Sequence, residues 1–183
     1  GKSENGDTYT FKIVFIDDYI KTLKEGDKII IRYSAKINES ALTSDPEHNT
    51  AYLSYGDENS NNRTPDSTTQ VYNAQFTVTK KDGAGDPLEG AGFVLKNAED
   101  KYYKLTGTVV SWVTSIDEAT EYTSDAQGNV TAFTGLANGT YTLVEKTVPA
   151  GYNKAADSTF TIAEHDYTAA NLEQSTEVVN NAG

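Results

Sequence analysis

Three polar residues of this chain stand where a strand's phase calls for apolar side chains. In "VYNAQFTVTKKD", Lys80 follows Phe76 and Val78 at every second position; in "YTLVEKTVPAGYN", Glu145 follows Tyr141 and Leu143; in "TEVVN", Asn180 follows Val178. Side chains two apart in a strand share a face, so each group points with its apolar neighbours towards a core. Such burial costs several kcal/mol unless the group is neutralised or paired. Burial disfavours the charged form of an amine and of a carboxyl alike. A neutral Lys80 is a nucleophile, and a protonated Glu145 can hydrogen-bond the side-chain oxygen of Asn180, polarise its carbonyl and move protons as the amine attacks and ammonia leaves. The product is an amide joining Lys80 to Asn180, shielded from water and favoured by the effective molarity of a fixed geometry. Each residue also has a plainer reading. Lys80, followed by Lys81 and Asp82, snorkels at a strand end; Asn180, near the terminus, is solvated; Glu145 pairs with Lys146 or a surface arginine.

Strands must position these groups, and the chain reads as strands throughout. "TYTFKIVFI" (8–16) and "KIIIRYSAKI" (28–37) alternate, with one helical turn between them through Tyr19, Ile20 and Leu23 that stops at Gly26. "NTAYLSYG" continues the pattern, and the polar, Pro65-containing run 56–69 reads as a loop. A second block then opens with the Lys80 strand and continues through "GFVLKN", "KYYKL", "VVSWVTS", "NVTAF", "GTYTLVEK", "STFTIAE" and "TEVVN". Short strands separated by Gly, Asn and Asp turns predict an all-β, immunoglobulin-like β-sandwich, with a small barrel as the alternative. The boundary is expected near residues 72–74, giving domains 1–72 and 73–183. The first block has too few strands for a whole sandwich, so the chain is expected to begin partway through that domain.

Composition narrows the function. Acidic residues outnumber basic ones 27 to 15, for a net charge of −12, which repels nucleic acid and anionic membrane surfaces. Without cysteine there are no disulfides, thiol nucleophiles or Cys-ligated metals. His48 and His165 lack ligand-like spacing, so neither a metal nor a cofactor is expected. No apolar run is long enough to span a membrane.

The stretches "FTVTKKDGAGDPLEGAGFVL", "KYYK", "SWV", "YTSDAQGNVTAFTGLANGTYTLVEKTVPAGYN" and "TEVVNNAG" resemble the CnaB-type domains of sortase-assembled pilins and surface adhesins of Gram-positive bacteria, over the whole of 73–183. The resemblance implies a spontaneous intramolecular isopeptide bond between a first-strand Lys and a last-strand Asn, catalysed by the Glu of "YTLVE". Lys80, Asn180 and Glu145 occupy those positions; Asn181, the substitute acceptor, has the wrong phase. Residues 7–72 more loosely resemble the C-terminal half of the preceding domain of pilin backbones, and there Asn49 looks like the acceptor of a second bond whose Lys cannot be assigned. The implied role is a structural shaft or stalk module of a cell-wall-anchored, extracellular pilus or adhesin. Its implied partners are other pilin subunits and the cell wall through sortase, with the anchor signal outside this chain.

Two rival classes are weighed against it. An adhesin domain would contact a host glycan or matrix protein through 56–69 or "SWVTSIDEATEY", with Trp112 either exposed for the ligand or, as usual in a sandwich, part of the core. A glycosidase would need paired carboxylates, but Asp17/Asp18 and Asp117/Glu118 are adjacent and would face opposite ways in a strand, so no enzyme acting on an external substrate is expected. Calcium at "DGAGD" or "SDAQGN" reads better as turn chemistry.

Overall fold

β-Branched and aromatic residues dominate the runs between the turns of the second block, and such side chains suit a pleated, half-buried surface. The computed structural model describes residues 8–35, 42, 45–57 and 62–183. Its strands are β1 (Glu47–Ala51), β2 (Ser54–Tyr55), β3 (Asn62–Arg63), β4 (Ser67–Val71), β5 (Ala74–Asp82), β6 (Gly92–Asn97), β7 (Tyr102–Thr106), β8 (Val109–Val113), β9 (Tyr122–Thr123), β10 (Asn129–Leu136), β11 (Gly139–Thr147), β12 (Ser158–Ile162) and β13 (Glu173–Asn180). The chain divides into two compact units, Gly1–Lys36 with Thr50–Ser67 and Ile37–Asn49 with Thr68–Gly183.

In the larger unit, β5 is the middle of a three-stranded sheet, antiparallel to β10 and parallel to β13. A second sheet runs β12-β11-β6-β7-β8, with β9 also beside β6. Their inward faces make one core: Phe76, Val78, Val130 and Phe133 from the first sheet, Phe93, Leu95, Tyr103, Tyr141 and Leu143 from the second. Phe76 stacks on Phe160 across the layers, with ring centroids 3.7 Å apart. Each large apolar side chain so buried contributes roughly 1.5–3 kcal/mol. This is the two-layer sandwich expected from the sequence, rather than a closed barrel.

The first part of the chain departs from expectation. Residues 8–16 and 28–35 form no ladder, apart from a single bridge position at Thr8; residues 36 and 37 of the second expected strand lie outside the described residues. Phe11 and Tyr33 meet edge to face at 5.0 Å, yet Ile13, Val14, Ile16 and Ile30 are exposed. Alternation specifies which face a side chain takes, but a strand also needs a neighbour for its backbone groups. The helical turn is present at Asp17–Ile20. The run 56–69 is not wholly loop: Asn62–Arg63 pairs with Ser54–Tyr55, and Ser67 opens β4, which pairs with β1; residues 58–61 lie outside the described residues.

Candidate functional site

Lys80 lies near the end of β5 and Asn180 ends β13, two strands that run side by side in parallel. The register sets Lys80 against Val178 and Asp82 against Asn180, so the two residues are diagonal neighbours on one face. Such neighbours sit about 7–8 Å apart, within reach of a long side chain. Glu145 comes from the facing sheet, on β11 opposite Phe93 of β6. All three are closed off from water, at 0%, 2% and 1% relative exposure for Lys80, Glu145 and Asn180. Asn181 is exposed, as its phase requires.

The Asn180 Nδ2 donates to Glu145 Oε1 at 2.7 Å. The second carboxyl oxygen, Oε2, accepts the backbone N–H of Ala155 at 2.7 Å. Lys80 Nζ donates to the carbonyls of Lys81 (2.7 Å) and Val178 (3.2 Å). Burial lowers the Lys80 pKa from its ordinary 10.5, against the opposing pull of the Glu145 and Asp82 carboxylates. Asn180 Oδ1 is buried with no hydrogen-bond partner, and such an orphan acceptor costs about 1–3 kcal/mol. The sequence-based expectation had Glu145 donating to that oxygen. Instead the amide presents its nitrogen to the carboxyl and turns its oxygen away from it.

Two other buried polar side chains, Ser124 and Asn171, are spent on the backbone. Ser124 Oγ bridges Leu88 O and Ala91 N, and Asn171 bonds the backbone of Ala163 and Asp166. Among the described residues the trio is the buried polar cluster that joins an amine, a carboxyl and a side-chain amide. Its backbone is fixed as well: Lys80 N donates to Gly128 O at 2.7 Å and Lys80 O accepts from Leu88 N at 3.1 Å. Gly128 has φ +77°, and a Cβ there would sit 2.3 Å from Lys80 O, so the close approach requires glycine.

The remaining candidates have other surroundings. Asn49 is exposed on β1, without the burial that surrounds Asn180. Trp112 is half-buried, stacked on Tyr141 at 5.6 Å and edge-on to Tyr103 at 5.9 Å. Asp17 and Asp18 open an exposed helical turn, and Asp117 lies 3.5 Å from Lys146. Asp82 Oδ1 caps the N–H groups of Ala84 and Asp86, and Asp125 Oδ1 those of Gln127 and Asn129, so both acidic loops use their carboxylates as turn acceptors. Sequence reasoning missed the Ala155 N–H and Gly128. A backbone donor leaves no side-chain signature, whereas the turn "DAQGN" did signal a glycine with a special conformation.

Residues 74–176 match the family model described as SpaA, prealbumin-like fold domain. The chain belongs to the SpaA family of prealbumin-like fold domains. Among solved structures, it resembles the pilus 2b backbone protein of group B streptococcus at 39% identity and a TM-score of 0.60, over 69% of this chain and 47% of that one. It thus spans about half the length of that relative. The C-terminal domain of shaft pilin SpaA from Lactobacillus rhamnosus GG is 30% identical, with a TM-score of 0.51 over 62% of this chain and 100% of that domain. Comparison with curated protein sequences gives no match. The resemblance to Gram-positive pilin domains read from the sequence, and the sandwich it implied, are borne out; in this SpaA-family chain the matched segment begins at the first residue of the Lys80 strand.

Proposed function

We propose that this chain is a structural module of a pilus shaft, stabilised by an isopeptide bond that Lys80 and Asn180 form under catalysis by Glu145. The observation that carries the reading is the buried hydrogen bond between Asn180 and Glu145, next to an amine whose burial favours its neutral form. Neutral Lys80 Nζ attacks Asn180 Cγ. Glu145, in contact with Nδ2, relays a proton from the attacking nitrogen to the leaving one. The Cγ–Nδ2 bond breaks, a Cγ–Nζ bond forms, and one ammonia leaves, with no redox change and no cofactor. The catalyst acts once, on its own chain, so the module is not an enzyme for an outside substrate.

Similarity to a pilus backbone protein and a shaft pilin supports an extracellular surface location, with other pilin subunits as partners and the cell wall reached through sortase. Among the described residues no helix is long and apolar enough to cross a membrane. Intact-mass spectrometry tests the chemistry. The wild type is expected one ammonia lighter than its sequence mass, while Asn180→Ala and Glu145→Ala each keep their full mass in a folded protein. A wild type at full mass would sink the proposal, and ammonia loss from Glu145→Ala would remove Glu145 from the mechanism.

A further inference from the structure

The loop that follows Glu145 grips the chain on the far side of Asn180, and we propose that it is a clasp that positions the acceptor for crosslinking, with Asn153 as its positioning residue. The inference rests on the Lys80–Asn180 reading above. On the catalyst side, Ala155 N donates to Glu145 Oε2 at 2.7 Å, leaving Oε1 to face Asn180. On the acceptor side, the loop pairs with the three residues after Asn180. Asn153 N donates to Asn181 O at 2.9 Å and Gly183 N to Gly151 O at 2.9 Å. Tyr152 and Ala182 form an antiparallel bridge, and Asn153 Nδ2 adds a bond to Ala182 O at 3.2 Å. The loop can turn back this way because Gly151 takes φ +85° and Tyr152 N closes on Pro149 O at 3.2 Å.

The electrophile sits on the last residue of β13, where strand ends fray most readily. Residues 181–183 are exposed and bury no apolar side chain, so their hydrogen bonds to the loop do little for the core. What they do is hold the end of β13 to the segment that orients the Glu145 carboxyl, fixing Nδ2 against Oε1 from both sides. Positional control of that kind acts on the rate of an intramolecular reaction. Once the amide has formed, the covalent bond keeps Asn180 in place and the clasp becomes dispensable. A merely structural loop would behave in the opposite way, changing the stability of the finished protein and not the rate from the folded state.

The experiment starts from full-length chain collected in denaturant before it has folded. On dilution, Trp112 fluorescence follows folding and acid-quenched intact mass follows ammonia loss. Asn153→Ala and the near-isosteric Asn153→Asp, which lacks the amide donor, are each expected to fold and then to lose ammonia about three- to tenfold more slowly than wild type, the worth of one ordinary hydrogen bond. The completed crosslinked products should unfold at the wild-type denaturant midpoint. Gly183→Pro, which removes the opposing N–H, should be slowed likewise and serves if an Asn153 variant fails to reach the native fluorescence. Wild-type rates in the folded variants would overturn the clasp while leaving the crosslink standing. No ammonia loss from the wild type would instead overturn the crosslink reading, and the clasp with it.

Discussion

Asn180→Ala removes the electrophile while leaving Lys80 and Glu145 in place, and its cost can be worked from the structure. Positions 80 and 180 are 100 apart, so the bond would close nearly the whole sandwich into one covalent loop. The chain-entropy estimate for a loop of that length is about 4.7 kcal/mol. The substitution also removes the amide group that faces Glu145 and leaves a buried carboxyl oxygen without a donor, for about 1–3 kcal/mol more. The expected loss is therefore about 6–8 kcal/mol, a large share of the roughly 5–15 kcal/mol that holds an ordinary domain together. Lys80→Met separates the two contributions, because it removes the nucleophile but puts an apolar side chain of similar length into the same buried place. It should lose about 4–5 kcal/mol or less. Guanidinium denaturation followed by Trp112 fluorescence is the assay, since Trp112 packs on core rings. Both variants should also show a steeper denaturant dependence than wild type, because an untethered unfolded chain exposes more surface. Wild type within about 1 kcal/mol of both variants, with equal slopes, would refute the reasoning.

The free amine of Asn180→Ala should show in its pH dependence. Its folded Lys80 binds fewer protons than the unfolded chain between the lowered pKa and the ordinary 10.5, so denaturation midpoints should rise as pH climbs through that window and level off above it. Crosslinked wild type, with the amine consumed, should lack that increment. Pulled from its two ends in a single-molecule experiment, wild type should extend its sandwich only by residues outside 80–180, because load enters β5 and crosses to its parallel neighbour β13; Asn180→Ala should release the full contour length. Gly128→Ala forces a Cβ to within 2.3 Å of Lys80 O at a positive φ; it should cost about 1–3 kcal/mol by denaturation and slow ammonia loss by shifting the Lys80 backbone.

Much of the candidate site was legible because a strand's period is short and strict. Phe76, Val78 and Lys80 share one phase, as do Tyr141, Leu143 and Glu145, and the structure buries all six. Periodicity could place each group on an inward face, but not beside another. The parallel pairing of β5 with β13 joins segments far apart in sequence, and only tertiary packing decides it. Direction within the site was also hidden: the end of the Asn180 amide that meets Glu145 is set by how the two sheets face each other. The Ala155 N–H was invisible because every non-proline residue carries one. In the first part of the chain the same rule misled in both directions. Phe11, Ile13 and Phe15 alternate without forming a ladder, whereas the polar "STTQV" of β4 pairs with β1 while fully exposed, since backbone pairing does not require apolar side chains.

The covalent link itself is open to direct measurement. Digestion of the wild type followed by tandem mass spectrometry should yield a branched species in which the peptide carrying Lys80 is joined to the peptide carrying Asn180, one ammonia lighter than the two together, with fragment ions placing the junction on those two side chains. Recovery of the two peptides separately, each at its full mass, would contradict the account.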